Sequence, residues 1–482
     1  MTHSHSSSNT ETRLRVVLWT TGKVASEAAK AILERPNLEL IGAYAFSNEK
    51  SGKDIGDLIG IANKLGVKAT SNIDELIELK PDCVAYMPLH PDVAHMEKLL
   101  RAGINIATTA SFMTGFAYGE QDKHRLEAAA QAGQASLFGS GINPGWVDNL
   151  TATACGLCKE VNQVRILESF NIGLWAGDAN QNELGWGRPA GDPGHAEAIE
   201  KATQPFGDAV ETIAAMFHFP LDDVRCEVSF AHATEDLDVP GRDVKQGTVA
   251  GIMAKWLGIA NGLPVIDATV QWSVGDELSP PWDIAMAYLI DVEGTPNINM
   301  RVEVLPDLTL PEEELMTIGF MFPANPVVNA IPAVVAARPG IVTYADLLPV
   351  TSRMVPKPVP ARPPRLKVEE PELPPANDKN SPPESIEGSW KVVIKAPTGN
   401  QETELLIKQE GDKIFGVQSG QGTESPMLDA QLQGNHIQWV NQVTKPFKLK
   451  VKFNGVIEGN VMSGKCKAGI MGTYPFSATK NA

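Results

Sequence analysis

The residues best suited to chemistry near the start of the chain lie in a turn that follows the apolar run Val16-Val17-Leu18. Thr20, Gly22 and Ala25 occupy the three positions of a G-x-G-x-x-G pattern. In that pattern the middle glycine lets the backbone approach a pyrophosphate, and the third position, where alanine is accepted, lets the helix pack closely on the strand. A β-branched Thr20 fits the first position only if its φ is negative. The turn Thr20-Thr21-Gly22-Lys23 therefore predicts a dinucleotide site, since the N–H groups that open the next helix and the Lys23 ammonium favour phosphate.

The end of the second predicted strand bears on which dinucleotide is bound. Proteins that bind NAD usually place an acid there to accept a hydrogen bond from the ribose 2′-hydroxyl. Here the first polar residues are Ser47 and Asn48, with Lys50 close behind. A hydroxyl, an amide and an ammonium suit a 2′-phosphate better than an acid would. The sequence therefore favours NADP, and NAD stays an open alternative. A solvated turn without a role in cofactor binding is an equal alternative for these residues.

Hydride transfer to a carbonyl or imine carbon also needs a proton donor. Glu168 interrupts an alternating strand pattern, Tyr118 follows an apolar run, and His195 begins a helix after a loop rich in glycine and proline. Each has a structural alternative: a paired carboxylate, a packing tyrosine and a surface histidine. Cys155-x-x-Cys158 has no second pair and the histidines are scattered, so no metal site is expected. The catalytic candidates are therefore Glu168, Tyr118 and His195.

The elements that must position these residues alternate regularly over residues 14–150. Predicted strands at 14–19 and 38–46 and in PDCVAYMP, INIATT and ASLFGSG alternate with helices at 23–34, 92–102 and 120–132. Strands and helices that alternate through short turns are typical of a doubly wound parallel sheet. Residues 14–150 are therefore predicted to form a Rossmann domain.

The remaining chain predicts a second fold, a linker and a third fold. Residues 151–324 combine helical stretches at 207–217 and 249–260 with alternating runs such as VIDATVQWSV, and this combination favours an α+β substrate and dimerisation domain. Residues 325–350 are predicted to be helical and to pack back on the first domain. Ten prolines in residues 351–385 predict an extended linker. Residues 386–482 contain short alternating strands with turn residues between them, typical of a small antiparallel β-barrel-like domain.

Composition excludes several classes of protein. The 482 residues include 58 Asp+Glu against 41 Lys+Arg, and the net charge of −17 argues against a nucleic-acid partner. No apolar run is expected to reach the roughly 18–20 residues of a membrane span. Residues 1–13 lack the apolar core of a signal peptide and are predicted to be a disordered tail. With five thinly spread cysteines and no disulfide framework, the sequence predicts a cytoplasmic protein without a membrane partner.

The stretches RVVLWTTGKVASEAAKAILERPNLELIGAYAFSNEKSGKDIGDLIG, SLFGSGINPGWVDNL and NAIPAVVAARPGIVTYADLLP are similar to a known family. Residues 14–350 resemble the dihydrodipicolinate-reductase-like proteins, and within them the branch of 2,4-diaminopentanoate dehydrogenases and native amine dehydrogenases. The resemblance implies a Rossmann domain, an α+β catalytic domain, NAD(P)H in the cleft between them, a small-molecule substrate and a homodimer. Carried over by position, it places Gly22, Lys23 and Val24 at the pyrophosphate, Ser47 and Lys50 at the adenosine ribose, Met87, Pro88, Thr108, Thr109 and Ala110 at the nicotinamide, and Asn143 and Pro144 at the domain junction.

Two departures from that family bear on the reaction. Amine dehydrogenases of this branch place a glutamate just after the TT strand, whereas TTASFMTGFAYGEQ has no acid before Glu120. Dihydrodipicolinate reductases carry paired histidines after a strand glutamate, whereas ESFNIGLW keeps Glu168 but has Phe170-Asn171 instead. The sequence predicts an NAD(P)-dependent oxidoreductase acting on a C=O or C=N carbon of a small, partly apolar substrate, and the missing acid favours a ketone/alcohol pair over an imine/amine pair. The alternative is a non-catalytic nucleotide-binding or scaffold protein whose β domain is an interaction module.

Overall fold

A computed structural model describes residues 13–304, 312–355, 386–396, 399–411, 413–420, 423–443, 449–468 and 473–481. Its first part contains the strands β1 (Leu14–Trp19), β2 (Leu38–Tyr44), β3 (Ala69–Thr70), β4 (Cys83–Tyr86), β5 (Asn105–Thr108) and β6 (Ser136–Gly139). These strands alternate with the helices α1 (Lys23–Leu33), α2 (Ile55–Ile59), α3 (Ile73–Glu78), α4 (Val93–Arg101) and α5 (Glu120–Gly133). The predicted disordered tail, apart from residue 13, and the predicted linker from residue 356 onward lie outside the described residues.

The second part of the chain is richer in strands. It contains α6 (Trp146–Cys155), β7 (Glu160–Asn171), α7 (His195–Ala202), α8 (Pro205–Met216), β8 (Asp223–Ala233), β9 (Leu237–Val239), β10 (Arg242–Val244), β11 (Val249–Ala260), β12 (Leu263–Ser273), β13 (Leu278–Ser279), β14 (Ala287–Thr295) and β15 (Ile298–Val302). The chain then returns to the first sheet through α9 (Glu312–Val335) and β16 (Gly340–Val342).

The first sheet confirms the predicted Rossmann-like domain. Its order is β16-β6-β5-β4-β1-β2-β3, and every neighbouring pair is parallel. Val16 and Leu18 of the central β1 pack into a core with α1 and α9, whereas Val17 and Trp19 pack into a core on the opposite face with α4 and α5. Because both faces are covered, the strands are nearly continuous apolar runs, as parallel sheets require.

The second sheet confirms the predicted α+β domain but corrects one element. Its order is β13-β8-β11-β12-β7-β14-β15, in which only the β7–β12 pair is parallel. The prediction of a helix over 249–260 is wrong, because these residues form β11 in the interior of this sheet. Almost every residue of β11 is buried, so the sequence shows no alternation, and a long buried strand cannot be distinguished from a buried helix by its apolar residues alone.

The helix α9 corrects a second expectation. Thr317–Val335, with a mean hydropathy of 1.5, is long and apolar enough to cross a membrane by length and composition, so the expectation that no run reaches this length is wrong. In the structure Ala324, Val327, Val328 and Ile331 of α9 are buried in the same core as α1. Part of this apolarity therefore arises from packing on the first sheet, and the prediction that the segment after residue 324 packs back on that sheet agrees with these contacts.

The C-terminal strands form a closed antiparallel barrel in the order β17-β18-β19-β20-β21-β22-β23-β24. They are β17 (Gly388–Ala396), β18 (Gly399–Glu410), β19 (Lys413–Gly420), β20 (Thr423–Gln433), β21 (His436–Val443), β22 (Leu449–Glu458), β23 (Val461–Lys467) and β24 (Thr473–Lys480). The rings of Trp439 and Phe453 stack 4.4 Å apart, with Phe476 edge-on to both, in a core that also contains Trp390. The predicted barrel is therefore confirmed, and these side chains fill its interior.

Candidate active site

The turn after β1 opens onto a cleft that suits a pyrophosphate. Gly22 caps α1 with φ −78° and ψ 180° and makes no side-chain cap, so the first N–H groups of the helix are not satisfied by a capping side chain. A Cβ atom on Gly22 would meet nothing within 4 Å, which leaves room for a ligand to approach the backbone. A cleft of about 480 Å³ lies here, lined by Thr21, Gly22, Lys23 and Ser26 among others. Free donors, a helix N-terminus and open space fit the phosphates of NAD(P).

Thr20 departs from the predicted backbone geometry. Its φ is +78°, so the expectation of a negative φ is wrong. Its N–H donates to the Tyr44 carbonyl (3.0 Å) and its hydroxyl to the Met87 carbonyl (3.3 Å), which fix the turn between β2 and β4. The fingerprint places glycine at this position because the turn needs the left-handed region. A β-branched residue there is strained.

A segment of the second domain covers this cleft. Residues 173–184, which we call the cover segment, contain two short 3-10 turns, Gly173–Trp175 and Ala179–Leu184. Trp175 and Asp178 of this segment line the cleft. Lys23 forms an ion pair with Asp178 (2.6 Å) and lies 4.6 Å from the centre of the Phe320 ring of α9. The predicted phosphate ligand Lys23 therefore already faces one carboxylate across the cleft.

The residues predicted at the adenosine ribose lie on both sides of that turn. Ser47 and Asn48 are exposed, and the Asn48 side chain accepts a hydrogen bond from the Ser71 hydroxyl at 3.4 Å. Lys50 is half-buried and donates to the Thr21 hydroxyl at 3.0 Å. The loop after β2 thus brings an ammonium group to the phosphate turn, while Ser47 and Asn48 remain accessible to a ribose substituent.

The residues predicted at the nicotinamide lie at the carboxyl ends of β4 and β5, where ligands of open α/β sheets bind. The Thr108 hydroxyl donates to the Tyr86 carbonyl (2.7 Å) and accepts from the Ala110 N–H (2.9 Å). Thr109 reaches the sulfur of Met87 at 3.2 Å. Pro88 is half-buried at the same edge, and Val24 packs against the core below α1. Thr108 thus stabilises the backbone of this edge rather than offering its hydroxyl to a ligand.

Glu168 is a buried titratable side chain at the junction of the two domains. It lies on β7 and is 9% exposed. One carboxylate oxygen accepts from the Trp272 indole N–H (2.8 Å) and the other from the Asn143 amide (2.9 Å). Burial raises the pKa of Glu168 to about 7, against the opposing effect of these two donors. A carboxyl group whose pKa lies near neutral pH can both donate and accept a proton during turnover.

The Asn143–Gly145 turn connects Glu168 to the Rossmann sheet. It follows β6 and contains the cis peptide bond Asn143–Pro144. Asp148, which is fully buried in α6, accepts the Gly145 N–H at 2.7 Å. Burial raises the pKa of Asp148 to about 7, with a contribution from the negative charge of Glu168. The family resemblance places Asn143 and Pro144 here, whereas no sequence motif points to Asp148.

A second buried acid, Asp208, clamps the loop in which the family's glutamate is missing. It lies on α8, and its carboxylate accepts from the N–H groups of Met113 (3.2 Å), Thr114 (3.1 Å) and Phe116 (3.0 Å). The Thr114 hydroxyl also donates to it. The contact joins the loop after β5 to a helix of the second domain. The sequence offered only a weak signal for it, an aspartate inside an apolar helix pattern.

Two of the three predicted catalytic residues are engaged in packing. The Tyr118 hydroxyl donates to the Ala110 carbonyl at 2.5 Å, and its ring packs edge-on against Phe112. His195 is 2% exposed, contacts the Leu184 carbonyl through Nε2 (2.8 Å) and stacks on Phe230. The structure thus gives Tyr118 and His195 structural partners, and His195 is buried instead of lying at the surface.

Metal chemistry has no support in the part of the chain that the structure describes. No group of three or more His, Cys, Asp or Glu side chains in that part could hold a metal ion. Cys155 and Cys158 are free thiols, and Cys158 lies against the Pro296 carbonyl. The site therefore consists of a phosphate turn, a nicotinamide edge and the Asn143–Glu168–Trp272 contact.

Comparison with known proteins agrees with the resemblance and with the fold. Residues 147–358 match the family model of the 2,4-diaminopentanoate dehydrogenase C-terminal domain. The chain is 26% identical over 351 residues to an amine dehydrogenase of Streptomyces virginiae, covering 69% of this chain and 96% of that protein. It is 22% identical over 356 residues to the 2,4-diaminopentanoate dehydrogenase of Acetoanaerobium sticklandii, covering 70% and 93%. The solved structure of the amine dehydrogenase from Mycobacterium smegmatis shares the fold, with a TM-score of 0.57, 23% identity and coverage of 73% of this chain and 99% of that one.

Proposed function

We propose that this NAD(P)-dependent oxidoreductase interconverts a primary amine and the matching ketone through an imine. The match of residues 147–358 to the 2,4-diaminopentanoate dehydrogenase C-terminal domain and the similarity to an amine dehydrogenase and a 2,4-diaminopentanoate dehydrogenase support the proposal. The observation that carries the proposal is the buried Glu168 carboxyl group at the domain junction, with a pKa of about 7. We propose that it supplies, from β7 of the second sheet, the acid that the loop after Thr109 lacks. This shifts the preference from ketone/alcohol chemistry, favoured by that missing acid, to amine chemistry.

Glu168 would act on the substrate's nitrogen and on water. A dinucleotide held at the Thr21-Gly22-Lys23 turn would supply the hydride acceptor, and loss of hydride from the amine-bearing carbon would give a C=N cation. In this proposal the ionised Glu168 stabilises that cation and then removes a proton from the attacking water. Asn143 and Trp272 fix both carboxylate oxygens, so the group does not have to reorganise during the reaction. In the reverse direction the protonated acid returns the proton to the hydroxyl group, which departs as water.

The charges around Glu168 also restrict the substrate. Burial raises the pKa values of Glu168, Asp148 and Tyr288, and the negative charge of Glu168 adds to the shifts of Asp148 and Tyr288. No lysine or arginine among the described residues contributes to these shifts. A buried site with acids and no cation attracts an ammonium group and repels a carboxylate. Phe170, Trp272 and Phe206 supply apolar rings nearby. We therefore propose a partly apolar amine without a carboxylate next to the nitrogen.

The experiment measures reduction of NADP⁺ and NAD⁺ with a panel of alkyl and arylalkyl amines, the matching alcohols and the matching α-amino acids. Turnover of amines, with an ammonia-dependent reverse reaction on the ketone, is expected. Glu168→Gln is expected to lower kcat by about 100-fold or more while NADPH binding is retained. Turnover of alcohols without any amine activity would reject the amine assignment and leave the oxidoreductase class intact.

The preference for NADP over NAD belongs to this proposal too. Lys50 adds positive charge to the loop after β2, and Ser47 and Asn48 are exposed beside it. We propose that this loop receives the 2′-phosphate. Lys50→Ala should weaken NADPH binding more than NADH binding, measured by fluorescence titration, because only NADPH carries the extra charge. Equal losses for both cofactors would assign Lys50 to the pyrophosphate instead.

The remaining expectations about the protein's surroundings stay predictions. A homodimer is implied by the family, and sedimentation of the full chain tests it. Cytoplasmic location and the absence of nucleic-acid and membrane partners are predicted from the acidic composition and the few cysteines, and cell fractionation tests the location.

A further inference from the structure

The outer face of the barrel carries a pair of lysines whose position does not follow from packing within the barrel. Lys452 of β22 lies directly opposite Lys467 of β23 in the strand register, and both side chains point away from the filled interior. Lys450 and Lys465 continue the basic stripe along the same two strands. Like charges directly opposite each other destabilise a strand pair. The pair is therefore expected to face an acidic surface.

That surface belongs to the second domain. The turn between β12 and β13 contains the adjacent acids Asp276 and Glu277. Lys452 forms an ion pair with Glu277, and Lys467 lies 3.4 Å from the Asp276 carboxylate. Two like-charged pairs, each repulsive alone, thus neutralise each other where the barrel meets the body of the protein.

The turn that receives the lysines is joined to the cover segment. The Asp276 carboxylate accepts from the Asn171 amide at 3.3 Å, and the Asn171 side-chain oxygen accepts the Gly173 N–H at 3.0 Å. Gly173 also packs against the backbone of Val274 in the same turn. Further along the cover segment, Asp178 reaches Lys23 across the cofactor cleft. A continuous series of polar contacts therefore runs from the barrel to the wall of the cleft.

We propose that the barrel docks on the Asp276-Glu277 turn of its own chain and thereby holds the cover segment closed over the cofactor cleft. The occupant of this surface is the chain's own C-terminal barrel, because the positive charges of Lys452 and Lys467 complement the negative charges of the turn. Docking gives the barrel a role in retaining the cofactor, without a chemical step of its own. Loss of docking should let the cover segment open more often and let the cofactor leave faster.

The test reverses the charges in the full-length chain. Lys452→Glu with Lys467→Glu should increase amide hydrogen exchange in the cover segment and raise the NADPH dissociation rate, measured by stopped-flow fluorescence, by about three- to tenfold. The matched control is Lys408→Glu with Lys413→Glu, which changes the same charge at exposed positions of β18 and β19. The control should leave both measurements at the wild-type values.

A charge swap separates docking from damage to the barrel. Adding Asp276→Lys with Glu277→Lys to the reversed barrel should restore slow exchange and slow dissociation. Unchanged exchange in the first variant, equal effects in the control, or no recovery in the swap would each overturn the proposal. Hydrogen exchange needs no cofactor, so this result is independent of whether the proposed amine chemistry is correct.

Discussion

The charge state of Glu168 is set by two opposing effects. Burial raises its pKa, and the hydrogen bonds from Trp272 and Asn143 lower it, with a net value of about 7. Amine oxidation uses the carboxylate as base, so kcat/KM for an amine is expected to rise with pH through about 7. Asn143→Leu removes one donor to the charged form and should shift this limb to higher pH.

The pH–rate profile of the purified enzyme, measured with one amine at saturating cofactor, tests this prediction. Glu168→Gln should lack the limb near pH 7 and keep the limb that arises from ionisation of the amine itself. A shift to lower pH in Asn143→Leu would contradict the assigned role of the amide.

Asp148 links pH to stability. Because burial raises its pKa from 3.8 to about 7, the folded state favours the protonated form. The free energy of unfolding falls by about 1.4 kcal/mol for each pH unit between these two values. The stability contributed by the protonated group is therefore full below pH 4 and declines until about pH 7. Asp148→Asn, which stays neutral and can still accept the Gly145 N–H, should flatten this decline.

Thermal or urea unfolding between pH 5 and pH 8 measures the effect of Asp148→Asn. Asp222→Asn serves as the control, because the Asp222 side chain is exposed to solvent. A wild-type protein that gains stability as pH rises from 5 to 7, with no difference in Asp148→Asn, would contradict the prediction.

At the scale of the element, the β1–α1 turn carries strain at Thr20. A non-glycine residue at φ +78° costs about 1–2 kcal/mol. Thr20→Gly should therefore raise the free energy of unfolding by about 1 kcal/mol, less the loss of the hydrogen bond to Met87. It should leave NADPH binding intact, since Gly22 and the helix N-terminus are unchanged.

Unfolding measurements on Thr20→Gly and on the neighbouring Thr21→Gly make the comparison. Thr21 has no positive φ and receives the Lys50 hydrogen bond, so its replacement should destabilise the protein. Destabilisation by both substitutions would show that Thr20 is not strained.

How far the sequence predicts an element depends on whether its signal is local. The turn at Gly22 and the alternation of strands and helices could be recognised because each pattern spans a few residues. β11 could not, because its burial on both faces removed the alternation. Trp272 was missed as a partner of Glu168 because 104 residues separate them, and only the pairing of β7 with β12 brings them together.

For the whole molecule, the proposed reaction requires that the Rossmann-like domain, which carries the nicotinamide edge, and the second domain, which carries Glu168, keep a fixed relation. Local patterns in the sequence predict the two domains, and the family resemblance places Asn143 and Pro144 at their junction. An aspartate inside an apolar helix pattern is only a weak signal for the contact between Asp208 and the 113–116 loop, because the acceptor and the donors are more than 90 residues apart. Such contacts follow from tertiary packing alone.

Asp208 is therefore the best test of how the domains are joined. Asp208→Ala removes the acceptor of four backbone N–H groups in this junction, those of Met113, Thr114, Phe116 and Ala117, and each buried group left unsatisfied costs about 1–3 kcal/mol. We expect a loss of about 3–5 kcal/mol in urea unfolding and a larger loss of kcat than of cofactor affinity, since the phosphate turn lies in one domain and Glu168 in the other. Asp208→Asn keeps an acceptor and should be intermediate, whereas the half-buried Glu211→Ala on the same helix should change little. A loss of NADPH affinity that equals or exceeds the loss of kcat would show that Asp208 supports the Rossmann domain itself rather than its relation to the second domain.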